Sequence, residues 1–339
     1  MKTQRALAIL LTSGFLALPA GASDYSWQPD RPINIIVPWS AGGSTDQVTR
    51  VVAPLLEEAL GTEVVVVNQP GASGSTGTRA ALDAPRDGYT WTANAIANNA
   101  TYSVTGLIED TSIDDYHIYL HVANVPLVSV NTDTPYLDFD SLLDAMKSSS
   151  VAVGTAGINS SGGMALAAIR EASGSDLAGA RMITYDGGNP AVIAAASGEV
   201  QATTQLAVEQ TEMIRAGRLR ALTVLSDTPL EVAGIDPVPP ITEFMPDFHV
   251  AADYFGIFIP VGAPQEVYDT MDQVWQDHIM EAEPLKAYAT DRGAVFAPSF
   301  GDAAREVAMP VVVSEACARV TRGEAVVDPS EIGIDCSGS

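Results

Sequence analysis

The feature that most constrains this chain is a repeated order of apolar strand, glycine-rich loop and helix. Residues 33–37 read as a buried strand, 38–44 as a loop and 45–60 as a helix, with Val48, Val51, Val52, Leu55, Leu56 and Leu60 at helical spacing. Pro54 inside that run predicts a kink or a split, and Gly61 is placed to end the helix. Strands follow at 64–67 and 89–93, around a short helix at 78–84. The order then returns, with a strand at 151–153, a glycine-rich loop at 154–163 and a helix at 164–172. Further strands read at 182–185, 200–204 and 219–225, with a helix at 190–197. Continuous apolar strands alternating with helices mean parallel α/β sheets covered on both faces. The expectation is two doubly wound α/β domains. The apolar extended runs 120–130 and 251–260 are the crossover strands of a hinge, and the tail from Pro264 packs back on the first half as helices.

Charge removes several functions. Acidic residues number 42 against 17 basic ones, for a formal charge of −25, while 47% of residues are hydrophobic. A nucleic-acid binder needs a basic footprint, and so does electrostatic attachment to an anionic membrane. Neither partner is expected. The apolar content rules out a disordered chain. The lysines are Lys2, Lys147 and Lys286. Such a balance suits a salty medium; ordinary compositional drift produces it too.

Residues 1–22 read as a secretory signal. Lys2 and Arg5 precede an apolar run at 6–18, broken at Thr12, Ser13 and Gly14, and Ala20-Gly21-Ala22 fits a small-x-small cleavage site. Cleavage is expected after Ala22, with a periplasmic mature chain. In an oxidising compartment Cys317 and Cys336 are expected as a disulfide closing roughly 20 residues, which stabilises by about 3 kcal/mol in the chain-entropy model. Two free thiols remain the alternative.

The loop Pro38-Trp39-Ser40-Ala41-Gly42-Gly43-Ser44-Thr45-Asp46 follows a strand and opens a helix. Ligands of open α/β sheets bind at such strand ends. A helix start offers unpaired N–H groups and the positive end of a dipole, so an anion can be held without a basic side chain. Ser44 or Thr45 can cap the helix or donate a hydroxyl, and Asp46 suits the cap and dipole better than the ligand. A glycine-rich turn that merely caps a helix reads the same way. The loop Gly154-Thr155-Ala156-Gly157-Ile158-Asn159-Ser160-Ser161-Gly162-Gly163 matches it, and two such loops facing across a hinge can clamp one anion. Enzyme signatures are lacking: there is no G-x-S-x-G, no G-x-x-x-x-G-K-[ST] and no H-E-x-x-H. His117 and His121 sit on what reads as strand, where that spacing defines no metal site. No cofactor, metal or catalytic residue is expected.

The run Arg31-Pro32-Ile33 through Asp46 resembles the signature of the extracytoplasmic solute receptors of tripartite tricarboxylate transporters, the Bug-type binding proteins. So do Val66-Val67-Asn68-Gln69-Pro70-Gly71-Ala72-Ser73-Gly74, Asp87-Gly88-Tyr89-Thr90 and Tyr185-Asp186-Gly187-Gly188. Ala216-Gly217-Arg218-Leu219-Arg220-Ala221-Leu222 and Gly256-Ile257-Phe258-Ile259-Pro260-Val261-Gly262-Ala263-Pro264 complete the match, which runs from about Pro29 past Arg292. The resemblance implies a type II periplasmic-binding fold, with domain 1 at 23–124 plus 255–339 and domain 2 at 125–254. It implies a ligand carboxylate held mainly by backbone groups of Ala41, Gly42 and Gly43, with Ser44 beside them. Further contacts come from Gly157 to Ser161, including Asn159 and Ser160. Trp39 then walls the cleft or packs beneath the loop. A small and a large integral membrane subunit are the implied partners, and the receptor is expected as a monomer.

Three positions depart from the family pattern. Met164 stands where a His is frequent, Asp186 where Lys or Arg is usual, and Thr203-Thr204-Gln205 where an Asp often follows the strand. If Asp186 and Gln205 line the pocket, a ligand with one carboxylate, or with a polar or cationic far end, fits at least as well as a tricarboxylate. Asp186 can equally point away and order a turn. The expected function is binding a small organic carboxylate for a secondary transporter; the alternatives are presentation to a membrane sensor kinase and a secreted hydrolase.

Overall fold

The computed structural model describes residues 25–174, 177–249 and 252–337. The expected cleavage position after Ala22 lies outside them. The chain first lays down β1 (Ile33–Val37), β2 (Val64–Asn68), β3 (Thr90–Ala95) and β4 (Tyr116–Asn124). It then crosses to a second sheet made of β5 (Leu127–Asn131), β6 (Val151–Thr155), β7 (Ala180–Thr184), β8 (Ala202–Thr203) and β9 (Leu219–Val224). It returns as β10 (Asp253–Pro260) and β11 (Val295–Phe300). The sheets order as β11-β4-β10-β3-β1-β2 and β7-β6-β8-β5-β9. β1 is parallel to β2 and β3, and β6 is parallel to β7 and β8. The crossover partners β4, β5 and β10 pair antiparallel. The apolar run expected to cross between halves does so: it divides at Val125-Pro126 into strands of different sheets.

Helices cover both sheets. In the first lobe these are α1 (Ser44–Leu60), α2 (Ser75–Asp83) and α3 (Ile96–Thr101). The second lobe carries α4 (Phe139–Ser148), α5 (Ser161–Ala172), α6 (Gly188–Ser197) and α7 (Ala207–Arg215). The tail adds α8 (Gln265–Val274), α9 (Glu283–Arg292) and α10 (Gly301–Thr321). Both sheets are packed by buried apolar side chains, and the first-lobe cluster reaches across the join to Ala156, Leu206 and Val208. Ile33, Ile35 and Val37 of β1 meet Val48, Val52 and Leu56 of α1, whereas Val151 and Val153 of β6 meet Phe139, Leu142 and Leu166. The tail packs on the first lobe as expected, with α10 against α3 and Cys317 bonded to Cys336.

Of the kink or split expected at Pro54, the split does not occur; α1 is one continuous helix across it. Proline removes one N–H and leaves the carbonyl four residues earlier, that of Arg50, without its helical partner. Pro54 and Arg50 are both exposed, so water can serve that carbonyl.

Candidate functional site

The loops at the carboxyl ends of β1 and β6 meet where the lobes join. Trp39, Ser44, Thr45 and Asn98 from the first lobe face Ala156, Ser160, Ser161, Gly188, Gln205, Leu206 and Glu209 from the second, with Phe255 of β10 between. The space they enclose is about 20 Å³, little more than one water needs. No Lys, Arg or His side chain lines it.

The first loop enters α1 through Gly43, whose extended backbone carries no side-chain cap. Gly42 takes φ +79°, the left-handed region that favours glycine. That turn lets its N–H donate to Asp46 Oδ2 at 2.8 Å, so Asp46 serves the loop, as its place in the first turn suggested. Burial pushes the Asp46 carboxyl up, but hydrogen bonds from Arg50, Gly42 and Asn68 outweigh it and hold the group below its ordinary range. The Gly43 N–H donates to Ser40 O at 3.3 Å. The Ser44 N–H points at the second lobe and donates to Glu209 Oε1 at 2.8 Å. Ala41 is exposed, and its carbonyl accepts from Asn189 at 3.4 Å. Trp39 packs beneath the loop and also borders the small cavity. Its indole N–H donates to Asn94 Oδ1 at 3.0 Å.

The second loop is bonded differently. Ser160 caps α5, with its Oγ accepting from the Gly163 N–H at 3.1 Å and donating to Gly157 O at 2.7 Å. The Gly157 N–H donates to Thr155 Oγ1 at 3.2 Å. Ser161 Oγ donates to Asp253, a buried carboxyl that burial pushes up to about 7. First-lobe side chains hold the loop from across the join. Asn98 donates to Asn159 O, Thr105 Oγ1 accepts from Asn159 Nδ2, and Arg319 of α10 donates to Ile158 O at 3.0 Å.

Asp186 is exposed and meets the first loop through its main chain, its carbonyl accepting from the Ser40 N–H at 3.1 Å. Gln205 is buried beside the seat. With its amide oriented to satisfy both neighbours, Nε2 donates to Glu209 Oε2 at 3.2 Å and Oε1 accepts from the Ala156 N–H at 2.8 Å. The structure therefore gathers Trp39, Ser44, Ser160, Ser161 and Gln205 around one cavity.

Glu209, Asn98, Arg319 and Asp253 were not anticipated. Glu209 had a local signal: it stands three residues after Leu206, where a helix start often places a carboxylate that reaches back to the backbone. It does so, accepting from the Leu206 N–H at 3.3 Å. Burial pushes the Glu209 carboxyl up, partly offset by the N–H groups of Ser44 and Leu206. Among the described residues no group of three or more His, Cys, Asp or Glu could hold a metal. His121 is buried and held neutral, its pKa pushed down to about 3 by burial, and His117 stacks on Tyr268.

Two α/β lobes, two chain crossings and helix starts converging from both sides define a bilobed solute-binding protein. The chain belongs to the tripartite tricarboxylate transporter family receptors, whose family description matches residues 48–305. That family consists of solute receptors and not of enzymes. Protein BugT of Bordetella pertussis is 33% identical over 288 residues, covering 83% of this chain and 84% of its own. Two solved structures establish the fold. The periplasmic binding protein BugD superposes with a TM-score of 0.78 at 22% identity, covering 88% of this chain and 99% of its own. MatC from Rhodopseudomonas palustris, with bound malate, gives 0.76 at 20% identity, covering 86% and 99%. No described helix is long and apolar enough to cross a membrane.

Proposed function

We propose that the chain is a periplasmic receptor that holds a small organic carboxylate between its lobes and delivers it to the membrane subunits of a tripartite tricarboxylate-type transporter. One observation carries this reading. A carboxylate, that of Glu209, already sits at the join, on the Ser44 N–H, the Leu206 N–H and the Gln205 amide. These are donors of the kind a carboxylate accepts from, and no Lys, Arg or His lines the seat. Family membership and the malate-bound neighbour point the same way.

In this reading the ligand meets Trp39, Ala41, Gly42, Gly43 and Ser44 on one side and Gly157, Asn159, Ser160, Ser161 and Gln205 on the other. The lobes divide as 23–124 plus 255–339 and 125–254, and part about the two crossings to admit it. A single-carboxylate ligand with a polar or cationic far end suits a cleft lined by an acid and by no base. Export rests on the signal pattern at 1–22, and the Cys317–Cys336 bond suits an oxidising compartment.

The test is thermal unfolding of the mature chain in high salt against mono-, di- and tricarboxylates. A ligand at 100 times its Kd stabilises by about 2.7 kcal/mol, a shift of a few degrees. Stabilisation confined to one carboxylate class is the expected result. No shift with any of them, in protein that mass spectrometry shows to be free of co-purified ligand, overturns the reading.

A further inference from the structure

Glu209 belongs to the second lobe, yet its shorter hydrogen bond, at 2.8 Å, crosses the join to the Ser44 N–H of the first. The bond within its own helix start, to Leu206, is 3.3 Å. A residue that only capped α7 would need the second and not the first. Gly188 lets the carboxylate in: a Cβ there would lie 2.1 Å from Oε1 and 2.2 Å from Oε2. Ser44 N–H, Gln205 amide and the bare Gly188 backbone are groups that suit an incoming carboxylate, and here the chain's own side chain takes them.

We infer that Glu209 is a built-in surrogate for the ligand: its carboxylate latches the lobes together, and an external carboxylate loads by replacing it on the Ser44 N–H. The inference rests on the carboxylate reading of the cleft and adds a mechanism of exchange to it. Glu209 then sets the affinity threshold. A ligand must both take over the seat and leave room for a displaced acid, which disfavours a second anionic group close to the first. The apparent affinity is lowered by the fraction of molecules that are latched.

The experiment compares wild type with Glu209→Ala by small-angle scattering without added ligand and by calorimetric titration with malate. The latch predicts that Glu209→Ala has a larger radius of gyration, because the cross-lobe bond is gone. It also predicts about tenfold tighter malate binding, because no internal carboxylate competes. Gly188→Ala keeps the charge but expels it from the seat, and is expected to open the lobes likewise; it gives the same readout should Glu209→Ala misfold. Unchanged scattering in both variants overturns the latch. Weaker malate binding by a folded Glu209→Ala also overturns it, since Glu209 would then be helping to hold the ligand. If neither protein binds malate or any other carboxylate, the carboxylate reading fails, and scattering alone still decides the latch.

Discussion

The two glycine-rich loops look alike in sequence and do opposite things. The loop before α5 closes its own helix start: Ser160 caps it, and the Gly157 N–H is taken by Thr155. The loop before α1 has no side-chain cap at Gly43, and its Ser44 N–H bonds a carboxylate from the other lobe. An anion seat thus needs more than a glycine-rich strand-to-helix turn. It needs one whose cap residue contributes no oxygen, so that a donor is left for something else. The acids beside the two starts differ as well. Asp46, bonded by Arg50, Gly42 and Asn68, is held low. Asp253, on the Ser161 hydroxyl, is driven by burial to about 7.

That last contrast yields the largest expected effect. The raised pKa of Asp253 contributes stability that is present below about pH 4 and lost as pH rises through about 7. Asp253→Asn should therefore gain thermal stability over wild type at pH 8, at most about 4 kcal/mol, and gain nothing near pH 4. Asp46→Asn should run the other way, losing stability at neutral pH and converging with wild type as pH falls below about 4. Melting curves across pH 3–9 check both; parallel profiles for the two variants would erase the distinction. Next is Gly43→Asp, which brings a second acid to the seat, since a Cβ at Gly43 lies 3.4 Å from Glu209 Oε1. Carboxylate affinity should fall about 100-fold, the consequence of a like charge worth roughly two pKa units. Titration calorimetry on the folded variant checks it, and retained affinity would move the seat elsewhere. The smallest effect is Ser160→Ala, which removes the α5 cap and should cost about 1 kcal/mol, or a few degrees of melting temperature. Ligand affinity should change less than for Gly43→Asp; the reverse ranking would make the second loop the principal anion holder.

Much of the fold was legible because its signals are local. β1 is five consecutive residues with apolar side chains at 33, 35, 36 and 37, and its structural bounds match the pattern. The Gly61 stop is real, with φ +67° closing α1. α3, α4 and α7 were not read from the chain. Residues 96–101 carry Ala-Asn-Asn-Ala in a buried turn without amphipathic period, so tertiary packing against α10 decides their state. α7 has five consecutive buried residues from Ala207 to Thr211, which likewise hides a helical stripe. In the site, the loops announced themselves through glycine and serine. Their partners did not, because Glu209, Asn98 and Arg319 reach them across 61 to 165 positions of chain. No spacing rule spans such distances; only the meeting of the lobes does.

The strand order of the first sheet carries a consequence for how the molecule is made. β10 stands between β3 and β4 and is the strand that joins them. Until residues beyond 252 have been synthesised, β1–β3 form one fragment, β4 stands apart, and their facing edges lie bare. The second sheet needs only residues 127–224 and can finish before them. Pairings across so long a stretch form slowly and leave strand edges open to the wrong neighbour meanwhile. The half of the receptor that begins the chain is the last to be completed.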